Sequence, residues 1–177
     1  MNTEKGNTTE KTTEELMQEA DTIAKNYFKQ GLNCSECVLR TIMDLNDTGL
    51  PPEVIRLASG FGAGMGKTKN TCGAITGAVL AVGATQGRAN PMEKPTTAER
   101  AKELVDVYKP FASMIHEIED TYGTLICKEL SDPHGDFECK ERKKSCMQII
   151  GYCAALAEKY TAEAKKMQQS ADTAPSE

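Results

Sequence analysis

Apolar residues return every three or four positions through most of this chain, and nowhere do they alternate over the length of a strand. Leu16, Ala20, Ile23, Ala24, Tyr27 and Phe28 make the first such stripe, with Thr12 or Thr13 placed to cap a helix and Gly31 to end it. Cys34, Cys37, Val38, Thr41, Ile42 and Leu45 make the second, entered through Asn33 as N-cap. Asp47-Thr48-Gly49 turns the chain, and Pro51-Pro52 opens a short third helix that reaches about Ser59. A fourth helix, from Asn70 or Cys72 to Gly87, is apolar nearly all round, which marks it as buried. The fifth spans Thr97 to about Tyr122, and Pro110 inside it is expected to kink or split it. After Gly123, residues 124–130 read as a short helical turn, and a last helix runs from about Lys143 to Lys166. The pattern predicts an all-α fold, a compact bundle of about six helices around a glycine- and alanine-rich central helix.

The 177 residues are expected to form one helical domain over 13–167, between polar, disordered tails at 1–12 and 168–177. A net charge of −5 without a local basic stripe argues against nucleic-acid binding. The longest apolar run, Ala78 to Ala84, is too short to span a membrane. The first residues lack the apolar core of a signal peptide, so a cytoplasmic protein is expected. Seven cysteines then point to metal or redox chemistry, since a reducing compartment does not sustain a structural disulfide framework.

One stretch organises that chemistry. Glycines alternate at Gly60, Gly62, Gly64 and Gly66, and the segment then reaches Cys72-Gly73-Ala74-Ile75-Thr76-Gly77. Four glycines in seven positions imply backbone conformations or close contacts that larger residues block, so the loop should deliver Cys72 to a defined place. The same loop contains Gly66-Lys67-Thr68, but a P-loop needs a glycine where Phe61 stands, and no strand precedes it. The dinucleotide pattern G-x-G-x-x-G also finds no match.

The other cysteines are individually less specific. Cys34 and Cys37 share a helical face at i, i+3, and Cys34 in the first turn should have its thiolate favoured by free backbone N–H groups and the helix dipole. A zinc finger or ribbon wants a second close pair, and Cys139 and Cys146 are too far apart in sequence to supply it. Cys146 and Cys153 lie two helical turns apart, roughly 10 Å along the axis, too far for a disulfide. His116 and His134 have no cysteine at metal-site spacing and read as surface residues.

Four stretches in order resemble one known bacterial and archaeal family, the C_GCAxxG_C_C redox-active proteins. They are Gly31-Leu32-Asn33-Cys34 with its following helix, the glycine-rich approach to Cys72-Gly73-Ala74-Ile75-Thr76-Gly77, Cys127-Lys128-Glu129-Leu130, and Cys146 in the last helix. The resemblance covers roughly Leu16 to Tyr160. It implies a functional quartet, Cys34, Cys72, Cys127 and Cys146, with Cys37 as a substitute for Cys34. Similar domains accompany split-Soret cytochromes, for which an iron–sulfur centre has been proposed. Cys37, Cys139 and Cys153 are additions to the family's minimal pattern.

Three functions follow as expectations. The quartet binds an iron–sulfur cluster and passes electrons to a protein partner. In the second, metal-free reading, Cys34 with Cys72, and Cys127 with Cys146, cycle between dithiol and disulfide as redox-active thiols. In the third, the same four cysteines hold zinc in a helical binding module without turnover. The small residues of the central helix suit packing within the monomer or across a homodimer.

Overall fold

The computed structural model describes residues 11–173, so the outer parts of both expected tails lie outside the described residues. Seven α-helices are present among them: α1 (Thr13–Lys29), α2 (Cys34–Leu45), a single turn α3 (Gly62–Met65), α4 (Gly73–Gln86), α5 (Thr97–Tyr122), the short α6 (Cys127–Ser131) and α7 (Lys140–Asp172). The expected third helix is a 3₁₀ segment over Pro52–Phe61, and a second 3₁₀ turn covers Asp132–His134. The fold is all-α, as the hydrophobic period predicts.

Local chemistry sets the helix starts. Thr12, Asn33 and Thr96 each accept the backbone N–H of a glutamate three residues on, and Glu15, Glu36 and Glu99 reach back to the cap backbone. These reciprocal capping boxes satisfy donors that the first turn leaves free, for about 1 kcal/mol each. Thr12 therefore belongs to the ordered domain. At the other end α7 continues through residues 168–172, beyond the expected tail boundary, and it begins three residues earlier than its stripe suggests, at Cys139 as N-cap.

The core is a four-helix arrangement of α1, α2, α4 and α7. The central α4 packs on both α2 and α7, and α1 lies along α7. Leu39, Ile42, Ile75, Ile118 and Ile150 are fully or almost fully buried, each worth about 1.5–3 kcal/mol on transfer from water. Gly77 lets α4 approach α2 until a Cβ there would stand 2.8 Å from the Ser35 backbone. Small residues on α4 thus serve packing within this monomer.

Pro110 does not split α5, which runs unbroken from Thr97 to Tyr122. Pro110 takes the place of the N–H that would reach Asp106, whose residue is exposed, so water can satisfy the freed carbonyl. Among the described residues no helix is long and apolar enough to cross a membrane.

Candidate functional site

Between α2 and α4 the chain makes an unusual turn. Ala63, Gly64, Met65, Gly66 and Lys67 have consecutive positive φ values of 53°, 72°, 61°, 65° and 68°, and Lys69 adds a sixth at 62°. The turn α3 is therefore left-handed. Such backbone costs roughly 1–2 kcal/mol for each residue that carries a Cβ. Hydrogen bonds within the turn hold it: Lys69 and Asn70 N–H donate to the Ala63 and Gly64 carbonyls at 3.2 and 3.1 Å.

That turn fixes two cysteines at once. The segments leading to Cys72 and to Cys127 pair as an isolated antiparallel bridge, Thr71 with Ile126. Cys72 N–H donates to the Leu125 carbonyl (2.9 Å) and Cys127 N–H to the Asn70 carbonyl (2.7 Å). Gly64 lies beneath the bridge, where a Cβ would fall 2.7 Å from both Cys127 Cβ and Asn70 N.

Cys34 is held from α2. Asn33 Oδ1 accepts the N–H groups of Ser35 and Glu36 at 3.0 Å, while Asn33 Nδ2 donates to the Ser59 carbonyl and Ser35 Oγ to that of Ala58 (2.7 Å). The helix start is thereby bound to the 3₁₀ segment that enters the turn. Ala63 N–H donates to Cys34 Sγ at 3.4 Å. A Cβ on Gly73 would collide with that sulfur and stand 2.7 Å from the Phe61 carbonyl oxygen, so glycine here lets the start of α4 sit directly against Cys34.

The four thiols of the expected quartet meet at one place. Cys34, Cys72, Cys127 and Cys146 all line a single cavity of about 190 Å³, together with Phe28, Phe137 and Arg142. Cys72 and Cys127 are buried and Cys34 and Cys146 half-buried. Cys37 is elsewhere: it is fully buried in the core, with its thiol donating to the Leu32 carbonyl (3.6 Å). Cys153 is likewise a fully buried core residue. Cys139 caps α7, its sulfur accepting Arg142 N–H at 3.4 Å. His116 and His134 are exposed and line no part of the cavity.

Burial opposes a free thiolate at Cys34, Cys72 and Cys146. Burial pushes the Cys34 thiol up, against the Ala63 N–H and the first-turn N–H groups of α2. The helix start acts in the expected direction, but desolvation outweighs it. Burial also drives Cys72 up to about 12, and raises Cys146 despite the opposing pull of Arg142. All seven cysteines are free thiols. Among the described residues no three Cys, His, Asp or Glu side chains gather closely enough to hold one metal ion.

Sequence reasoning missed Arg142. It stands one helical turn before Cys146, and this i, i+4 spacing was the available signal, hidden in a lysine-rich run that reads as a solvated face. Comparison with curated proteins found no match, and comparison with solved structures found none. Over residues 32–160, which contain all four cavity cysteines, the chain matches the family model described as "Putative redox-active protein (C_GCAxxG_C_C)", and it belongs to that family.

Proposed function

We propose that this protein is a small redox protein in which Cys34, Cys72, Cys127 and Cys146 hold an iron–sulfur cluster and serve electron exchange with a protein partner. The observation that carries the reading is the arrival of four thiols, from four separate stretches of chain, at one cavity. Four cysteines are the ligand number of both [2Fe–2S] and [4Fe–4S] clusters, and the donor set fits either.

When bound, the cluster would supply a one-electron redox couple. The chain's own part is to present the ligands and limit water: Cys72 and Cys127 are 8% and 4% exposed. A thiol held neutral by burial is a poor nucleophile, which weighs against metal-free exchange, whereas a metal ion deprotonates a coordinating thiol outright. With neither nucleotide motif in the sequence, the electron donor is proposed to be a protein, met in a reducing cytoplasm.

Anaerobic purification tests the reading. Iron, acid-labile sulfide and a visible absorption that bleaches with dithionite support it. A colourless protein whose free-thiol count rises with reductant would replace it with dithiol–disulfide chemistry, and zinc with chelator-induced unfolding would replace it with the helical binding module.

A further inference from the structure

Arg142 is an anomaly in this fold. It is 5% exposed, and among the described residues it has no carboxylate within ion-pair distance. Asp132 and Glu138, which lie near enough to feel its charge, are engaged by Lys69 (2.6 Å) and Lys143 (2.7 Å). Its Nη1 donates to the Phe137 carbonyl (3.0 Å), and its guanidinium lies 4.0 Å from the centre of the Phe137 ring. Its Nε has no hydrogen-bond partner; among the described residues two buried side-chain atoms are in that condition, the other being Ser131 Oγ, and of these Arg142 lines the cysteine cavity.

Buried cations are ordinarily paired, because desolvating an unpaired one is expensive. From the side chain's burial, its unpartnered Nε and its place on that cavity, we propose that Arg142 is the fixed counter-charge of an anionic cysteine-ligated centre and sets its reduction potential. The inference rests on the cluster reading above. Four thiolates around a dicationic core leave a net charge of about −2. One-electron reduction adds a further negative charge, supplied from outside, while no covalent bond in the chain forms or breaks. A cation at the cavity wall favours the reduced state over the oxidised one. Arg142 is thus a positioning residue for charge, acting on the centre through its field and its free donor.

The test compares Arg142→Gln, Arg142→Lys and Lys144→Gln, the last removing an exposed charge from the same helix. Midpoint potentials are measured by dithionite titration of anaerobic protein, and stability by urea unfolding of the metal-free forms. Arg142→Gln should shift the oxidised-to-reduced ratio about tenfold toward oxidised, ~59 mV lower for a one-electron couple. Arg142→Lys should recover most of the shift, and Lys144→Gln should show none. Metal-free Arg142→Gln should resist urea at least as well as the parent, because its buried charge then has no partner to lose. An iron-containing variant at the parental potential, or a metal-free variant that fails to fold, would overturn the inference alone. An iron-free parent would overturn the cluster reading and this inference with it.

Discussion

Gly64 and Cys127 are pressed together: a Cβ built on Gly64 would lie 2.7 Å from Cys127 Cβ. The left-handed turn thus bears on a cysteine about sixty positions away in sequence, and both ends of that relationship are open to mutation. Gly64→Ala should cost about 2–4 kcal/mol, combining a left-handed residue with a Cβ against backbone that cannot move aside. Urea unfolding would measure it. Met65→Gly, at φ 61° and half-exposed, should instead be neutral or stabilise by up to about 1 kcal/mol.

Gly73→Ala separates fold from site. Alanine favours a helix over glycine by about 1 kcal/mol, so helix content by circular dichroism should be retained. The new methyl group would displace Cys34 Sγ and the Phe61 carbonyl, and iron content should fall sharply. Unchanged iron content would show that Cys34 need not hold its observed position.

Pro110→Ala should stabilise the protein by about 1–2 kcal/mol, because it restores a helical N–H in α5, less the unfolded-state entropy that proline had removed. A thermal melt reads this directly.

Glu158 gives a pH dependence independent of the cysteines. It is buried on α7, where it accepts from Asn46 Nδ2 at 2.7 Å, and Lys165 Nζ donates to Asn46 Oδ1. Burial raises its carboxyl pKa; the Asn46 bond and the Lys165 charge oppose this without cancelling it. A folded-state value above the unfolded one means that the fold binds this proton more tightly. The group therefore disfavours the fold above its folded pKa, and the penalty disappears as pH falls to the unfolded value. Glu158→Gln should be more stable than the parent at pH 7, with the difference closing toward about pH 4 in urea titrations.

Helix positions were legible because their causes are local. Thr12 with Glu15, Asn33 with Glu36 and Thr96 with Glu99 announce three helix starts within four residues each. The glycine loop was legible as a device for delivering Cys72, but its handedness was not. Ala63, Met65, Lys67 and Lys69 carry positive φ without any sequence mark, since left-handed backbone is rarely adopted by such residues in succession. The pairing of Thr71 with Ile126 joins distant segments and leaves no local period to read. Pro110 marks a kink or split in the sequence; α5 is not split there, and Asp106, whose carbonyl loses its N–H partner, is exposed to water, which the sequence does not show. Arg142 was hidden by its lysine neighbours; only burial distinguishes it from them.

The most direct test of the central claim is iron and acid-labile sulfide content in Cys72→Ser and Cys139→Ser beside the parent protein, all purified without air. Both positions are helix N-caps, where serine is favoured, so neither change should prevent helix formation. The account predicts that Cys139→Ser keeps parental iron and sulfide while Cys72→Ser loses most of both. Full iron and sulfide in Cys72→Ser would contradict the assignment of the four cavity cysteines as the ligands.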